Sequence, residues 1–168
     1  MQRNQTMDDP GPGRSPRRLE QCADQLEIHE LSYRYAHASD QHDYELLSTV
    51  FTPDGVLTYE NSWTDPENPT VAIFKGTESL RTMPKPPLSR GMHVATNIIV
   101  DFGKDDATGS VYFVRLMADA DRGHRVSSCG LYWDRYERTS DGWRIAYREV
   151  RPFPPSGATA SWFLPPTK

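Results

Sequence analysis

The chain has 168 residues, 19 basic and 23 acidic side chains, a formal net charge of −4 and a mean hydropathy of −0.70. That length suits one domain with a sizeable core, and four Trp, eight Tyr and six Phe supply packing bulk. An acidic body without clustered Lys and Arg makes a poor nucleic-acid binder; with no long apolar run and no apolar leader, the reading is a soluble cytoplasmic protein without membrane contact.

Residues 1–18 mix Pro, Gly, Arg and Asp with no apolar pattern and read as a disordered tail. Without them the net charge is −6. From Leu19 to Ala38 neither Pro nor Gly interrupts, which predicts a helix. Its apolar residues fall on two sides, Leu19, Cys22, Leu26 and Tyr33 against Ile28, Leu31 and Tyr35, so both faces are expected to be buried. Asp43 can cap a second helix, DYELLSTVF, which ends at a TPDG turn. Two short strands follow, GVLTYE and VAIFKG, parted by the loop NSWTDPENPT, and then a short helix in GTESLRTM. MHVATNIIVDF, GSVYFVRLMADA, RVSSCGLYWDRYER and GWRIAYREV read as four strands joined by hairpin-length connectors. Helices first and an antiparallel meander afterwards is an α+β pattern, with one domain over residues 19–152. Residues 153–168 form a Pro-rich extension carrying Trp162 and Phe163.

Alternation on the first meander strand puts His93, Ala95, Asn97, Ile99 and Asp101 on one face and Val94, Ile98, Val100 and Phe102 on the other. An imidazole and a carboxamide flanking a small alanine suit either a cavity lining or satisfied core and surface polars. In YAHASDQHDYE (residues 35–45), Tyr35 and Asp40 lie about 140° apart on a continuous helix and converge only if the helix breaks near Ser39. His37, Asp40 and His42 do not share a face, so no metal is expected there. Cys22 and Cys129 have no CxxC or Cys/His spacing and read as free thiols. On the last strand Arg144, Ala146 and Arg148 share a face; an inward Arg there would suit a carboxylate or phosphate, an outward one is an ordinary surface residue. Arg115 needs an acidic partner if it points inward, and Asp134 or Asp119 could supply it.

The segment LSYRYAHASDQHDYELLSTVFTPDGVLTYE, the later H-x-x-x-N, and the G-x-Y-x-D and GW-x-I-x-x-R ending resemble the SnoaL-like branch of the nuclear transport factor 2-like superfamily over residues 20–151. The resemblance implies a cone, a strongly curved mixed sheet around a pocket closed by the N-terminal helices. Relatives include scytalone dehydratase, bile-acid dehydratase, polyketide cyclases, ketosteroid isomerase and limonene epoxide hydrolase. In the dehydratase-like members a Tyr, an Asp and a His meet in the pocket, which correspond here to Tyr35, Asp40 and His93; a terminal Arg corresponds to Arg148. Two family features are missing. VYFVRLMADA offers no second histidine of the scytalone dehydratase kind, and Arg115 is not followed by the Asp of the epoxide hydrolases.

The expectation is a cofactor-independent lyase, isomerase or cyclase acting on an apolar, carbonyl-containing metabolite. Tyr35, Asp40 and His93 are its catalytic candidates, and Asn97, Arg115, Tyr132, Arg148 and Trp63 its substrate-binding ones. No nucleotide-binding glycine motif implies a redox cofactor. Two other readings stay open: a pocket protein binding a small apolar ligand through Tyr35, Tyr132 and Trp133, and a scaffold subunit of an oxygenase. A homodimer is expected through the face of Val94, Ile98, Val100 and Phe102.

Overall fold

The computed structural model describes residues 16–60, 71–84, 91–119, 121 and 123–153. Trp63 and the extension with Trp162 and Phe163 lie outside these residues, as does most of the expected N-terminal tail. Helix α1 (Pro16–Gln41) starts three residues before the expected Leu19. Pro16 sits in its first turn, where the missing N–H removes no helical bond. The helix does not break at Ser39. It runs on to Gln41; His42 then takes a left-handed backbone (φ 53°) and reverses the chain. The Asp43 carboxylate accepts from the Leu46 N–H at 2.9 Å and caps α2 (Tyr44–Thr49), as its position predicts.

Six strands form one open sheet in the order β2-β1-β6-β5-β4-β3. They are β1 (Phe51–Glu60), β2 (Val71–Lys75), β3 (Gly91–Phe102), β4 (Asp106–Asp119), β5 (Gly123–Thr139) and β6 (Gly142–Pro152), with α3 (Gly76–Arg81) after β2. β3 to β6 are an antiparallel meander, and β1 joins β6 in parallel. The α+β class and the curved sheet of the expected cone are therefore present.

Bulges bend this sheet and decide which residues face inward. The expected TPDG turn is one of them, an irregularity inside β1 between Phe51 and Val56. Gly55 is required there, since a Cβ would come within 2.9 Å of the Ile145 carbonyl oxygen. A second lies at Asn97, which adopts φ 50° where the β3–β4 register shifts. A third sits at Ala146, where Tyr147 pairs with Arg135 but Ile145 already pairs with Tyr136.

The core lies between the concave face and the helices, around Ile28, Leu47, Leu57, Val111, Tyr136 and Ile145, all essentially inaccessible. Helix α1 contributes one face only. Leu19, Leu26 and Tyr33 remain 66%, 68% and 47% exposed and Cys22 is exposed, so the expected second buried face is corrected. The sheet covers a single side of α1, and no other described element packs over the opposite one.

The apolar dimer face is corrected as well. Because the bulge at Asn97 uses one extra residue, Ile98, Val100 and Phe102 turn to the same side as His93 and Ala95 and pack on the core. Val94 and Ile99 are left outside, with Tyr112 and Val126, among the exposed large apolar residues.

Candidate functional site

Two groups of polar side chains meet on the concave side. The first joins the last turn of α1 to the edge strand β3. The His93 backbone N–H points off the sheet edge and is taken by the Asp40 carboxylate, at 3.0 and 3.1 Å to its two oxygens. The same carboxylate lies 2.6 Å from Nδ1 of the His93 ring. A carboxylate has no proton to give, so Nδ1 is the donor, and in the neutral ring Nε2 then carries the lone pair. Each side chain is 21% exposed, so this pair sits at the rim and not in the core.

The second group fills the interior. Arg148 on β6 is wholly buried and grips Asp134 on β5 with two bonds, Nε to Oδ1 at 2.8 Å and Nη2 to Oδ2 at 2.6 Å. Nη2 also donates to the Ser32 hydroxyl on α1 at 3.1 Å, and the Tyr136 hydroxyl donates to Asp134 at 2.6 Å. The guanidinium carbon lies over both the Tyr35 and the Tyr132 rings, 4.4 and 4.5 Å from their centres, where the two rings meet edge to face. Tyr35 and Tyr59 share a hydrogen bond of 2.9 Å between their hydroxyls. Tyr132 packs edge-on to Tyr35 and stacks flat on Phe113, with ring centres 4.6 Å apart.

Burial keeps these phenols protonated. It pushes the Tyr35 hydroxyl well above the ordinary phenol range, with Tyr132 adding to the rise and Arg148 opposing it. Tyr59 and Tyr132 move the same way, again chiefly through burial. The Asp40 charge is among the influences that raise Tyr132, which ties the rim pair to the interior group. For Arg148, burial works against the charge, but the Asp134 carboxylate outweighs it and holds the group above the ordinary arginine value. The Tyr35 hydroxyl thus keeps its proton and can donate a hydrogen bond.

The structure brings Tyr35, Tyr132 and Arg148 together in the interior and Asp40 and His93 at the rim. The helix break the sequence calls for is absent: Tyr35 points inward between Phe51 and Tyr132, while Asp40, on another side of the same helix, reaches the sheet edge. Arg148 faces inward because of the bulge at Ala146, whereas Arg144 stays on the other face. Arg115 lies directly across from His93 in the register, on the same face and half-buried. Asp134, one expected partner for it, gives both oxygens to Arg148 instead.

Asn97 is corrected: it is exposed at the bulge, its left-handed backbone taking it out of the alternation that placed it beside His93. Trp133 belongs to the face opposite Tyr132 and leaves the interior lining. His37 is exposed, and His42 lies beside the Tyr44 ring. Among the described residues no three His, Cys, Asp or Glu side chains form a group fit for a metal.

Sequence reasoning missed Tyr59 and Ser32. For Tyr59 the available signal was its alternation with Leu57 on a half-buried strand; for Ser32, a small polar residue between Leu31 and Tyr35 on the buried stripe of α1. An open groove of about 500 Å³ between Glu27, Arg34, Val50, Trp143 and Arg144 lies elsewhere, and neither of the two groups lines it.

A family profile described as a SnoaL-like domain matches residues 20–149. The chain belongs to the SnoaL-like family. An uncharacterised protein of Mycobacterium tuberculosis is 31% identical over 137 residues, covering 80% of this chain and 89% of its own. Among solved structures, a Mycobacterium tuberculosis protein of unknown function matches with a TM-score of 0.69 and 28% identity, over 88% of this SnoaL-like chain and 83% of the other. A nuclear transport factor 2-like protein with a cystatin-like fold from Novosphingobium aromaticivorans gives a TM-score of 0.72 at 22% identity, over 87% and 90% of the two chains, a likeness of fold.

Proposed function

We propose that this SnoaL-like protein is a small-molecule enzyme that works by acid–base chemistry on a largely apolar carbonyl compound, without a redox cofactor. The observation that carries this reading is the threefold grip of Asp40 on His93, through the ring Nδ1 and the backbone N–H. A grip of that kind fixes the tautomer and orients the ring.

His93 Nε2 removes a proton from the carbon next to the substrate carbonyl. The C–H electrons pass into the carbonyl, and Tyr35, kept protonated by burial, donates a hydrogen bond to the developing enolate oxygen. The imidazolium, balanced by Asp40, then returns its proton. Delivered to a β-hydroxyl it gives dehydration; delivered to a distant carbon it gives isomerisation. Attack of the enolate carbon on a second carbonyl gives cyclisation. Tyr59 completes the donor set by holding the Tyr35 hydroxyl in place.

The test needs no knowledge of the natural substrate. Aryl ketones such as 2-tetralone are incubated with the protein in D₂O, and deuterium entry at the α-carbon is followed by NMR. The wild type is expected to speed exchange, and His93→Ala to lose about 10²- to 10⁴-fold of that rate. Exchange undiminished in His93→Ala contradicts the mechanism. Ligand binding with no exchange in either chain supports the rival reading of a non-catalytic pocket.

The homodimer now rests on different residues. Val94, Ile99, Tyr112 and Val126 leave apolar surface on the convex side of the sheet, which a second copy would cover. Light scattering that returns a monomer at micromolar concentration would remove this part of the proposal.

A further inference from the structure

The interior arginine has one nitrogen to spare. Asp134 takes Nε and one proton of Nη2, and Ser32 takes the other. Nη1 is equally buried and has no hydrogen-bond partner among the described residues. A carboxylate that grips the Nε–Nη2 edge leaves Nη1 on the far side of the planar fork, turned away from Asp134. Leaving a buried donor unpaired is unfavourable, so the place beside Nη1 suits an acceptor oxygen. A second donor lies in the same cluster. The Tyr35–Tyr59 pair holds two hydroxyl protons and spends one between its members, so the other is free to be donated.

The charge balance says which oxygen fits. Asp134 already cancels Arg148, both with fully buried side chains, and the Tyr35 and Tyr132 rings pack on the guanidinium. A carboxylate or phosphate entering there adds an uncompensated buried negative charge, which costs several kcal/mol. A neutral carbonyl accepts from Nη1 without that charge. An inward arginine was expected to suit a carboxylate or phosphate, and its partner on β5 reverses this.

We propose that the interior of the site recognises a neutral carbonyl oxygen through Arg148 Nη1 and rejects anionic oxygen, with Asp134 as the positioning residue that neutralises the arginine and aims its free nitrogen. This deepens the acid–base reading and rests on its placement of the ligand on the concave side, next to His93.

The test compares isosteres, 2-acetylnaphthalene against 2-naphthoate, with Kd taken from intrinsic fluorescence or calorimetry. Both are also measured in Arg115→Gln, which removes the half-buried cation across from His93 and its own claim on an anion. The ketone is expected to bind roughly tenfold tighter or more in both chains, as befits a penalty of over 1.4 kcal/mol. Asp134→Asn, which leaves the arginine charge uncancelled, is expected to shift the preference toward the naphthoate. Equal or tighter binding of the naphthoate in Arg115→Gln overturns the proposal, and so does failure of both probes to bind. Should Asp134→Asn not fold, the comparison in the other two chains decides alone. Ketone binding without α-proton exchange leaves this inference standing and removes the acid–base reading, so the two fail separately.

Discussion

Two carboxylate–nitrogen pairs, each with a 2.6 Å contact, lie on the same concave face with opposite surroundings. Asp134–Arg148 is sealed, with both side chains at 0% exposure, whereas Asp40–His93 sits at the rim with each at 21%. The sealed pair joins a carboxylate to a group that never gives up its proton, and two adjoining aromatic rings pack on that group. It ties β5, β6 and α1 together through Asp134, Arg148 and Ser32. At the rim the partner is an imidazole, which can take up and release a proton close to solvent. Similar contact distances thus hold a permanently charged group in the interior and a titratable one near solvent.

Cutting each pair from its acidic side breaks the comparison most sharply. Asp134→Ala leaves the Arg148 charge buried and unpaired, and unfolding free energy from urea titration is expected to fall by about 3–5 kcal/mol. Asp40→Ala, at the rim, is expected to cost about 1 kcal/mol or less of stability while abolishing most α-proton exchange. Similar losses of stability in the two variants would mean that the rim pair is as structural as the interior one.

The bulge at Asn97 links the two regions, because it lets His93 and the core residues Ile98, Val100 and Phe102 share one face. Asn tolerates the left-handed backbone it adopts there, and a β-branched residue does not. Asn97→Val is expected to lose roughly 1–2 kcal/mol in the same titration, and Asn97→Gly to stay within about 0.5 kcal/mol of the parent. A harmless valine would show that the strand can be rebuilt without the bulge.

The smallest effect concerns His29 on α1, which belongs to neither pair. Burial lowers its pKa below the ordinary 6.5, so below that pH the unfolded chain binds more protons than the folded one. Stability is therefore expected to drop as pH falls through about 6.5 and below, and the slope to flatten in His29→Gln. An unchanged slope would assign the acid sensitivity to other groups.

Much of this was legible in the sequence, and the exceptions share a cause. The long helix, the Asp43 cap, the meander and the α+β class follow from periodicity and turn residues. The juxtaposition of Asp40 and His93, some fifty residues apart in the chain, came from the family resemblance, because no local pattern links a helix end to a strand edge. Strict alternation failed at Asn97 and Ala146, where one extra residue reverses which side chains face inward. Neither position carries the glycine that marks the bulge in β1, so Ile98, Val100, Phe102 and Arg148 were assigned to the wrong partners or left open. The pairing of Arg148 with Asp134 follows the bulge at Ala146, whereas the sequence reading left Arg148 open and offered Asp134 to Arg115. On α1 the helical period was right, but no sequence pattern says how many sides of a helix the sheet will cover.

The central claim is that Asp40 holds the His93 ring with its proton on Nδ1 and its lone pair on Nε2. Long-range ¹H–¹⁵N NMR of protein labelled at its five histidines reads this directly, with His93 assigned by its absence in His93→Gln. In neutral His93 the account predicts a protonated Nδ1 and a bare Nε2, a preference lost in Asp40→Asn. A bare Nδ1 with the proton on Nε2 in the wild type would contradict it.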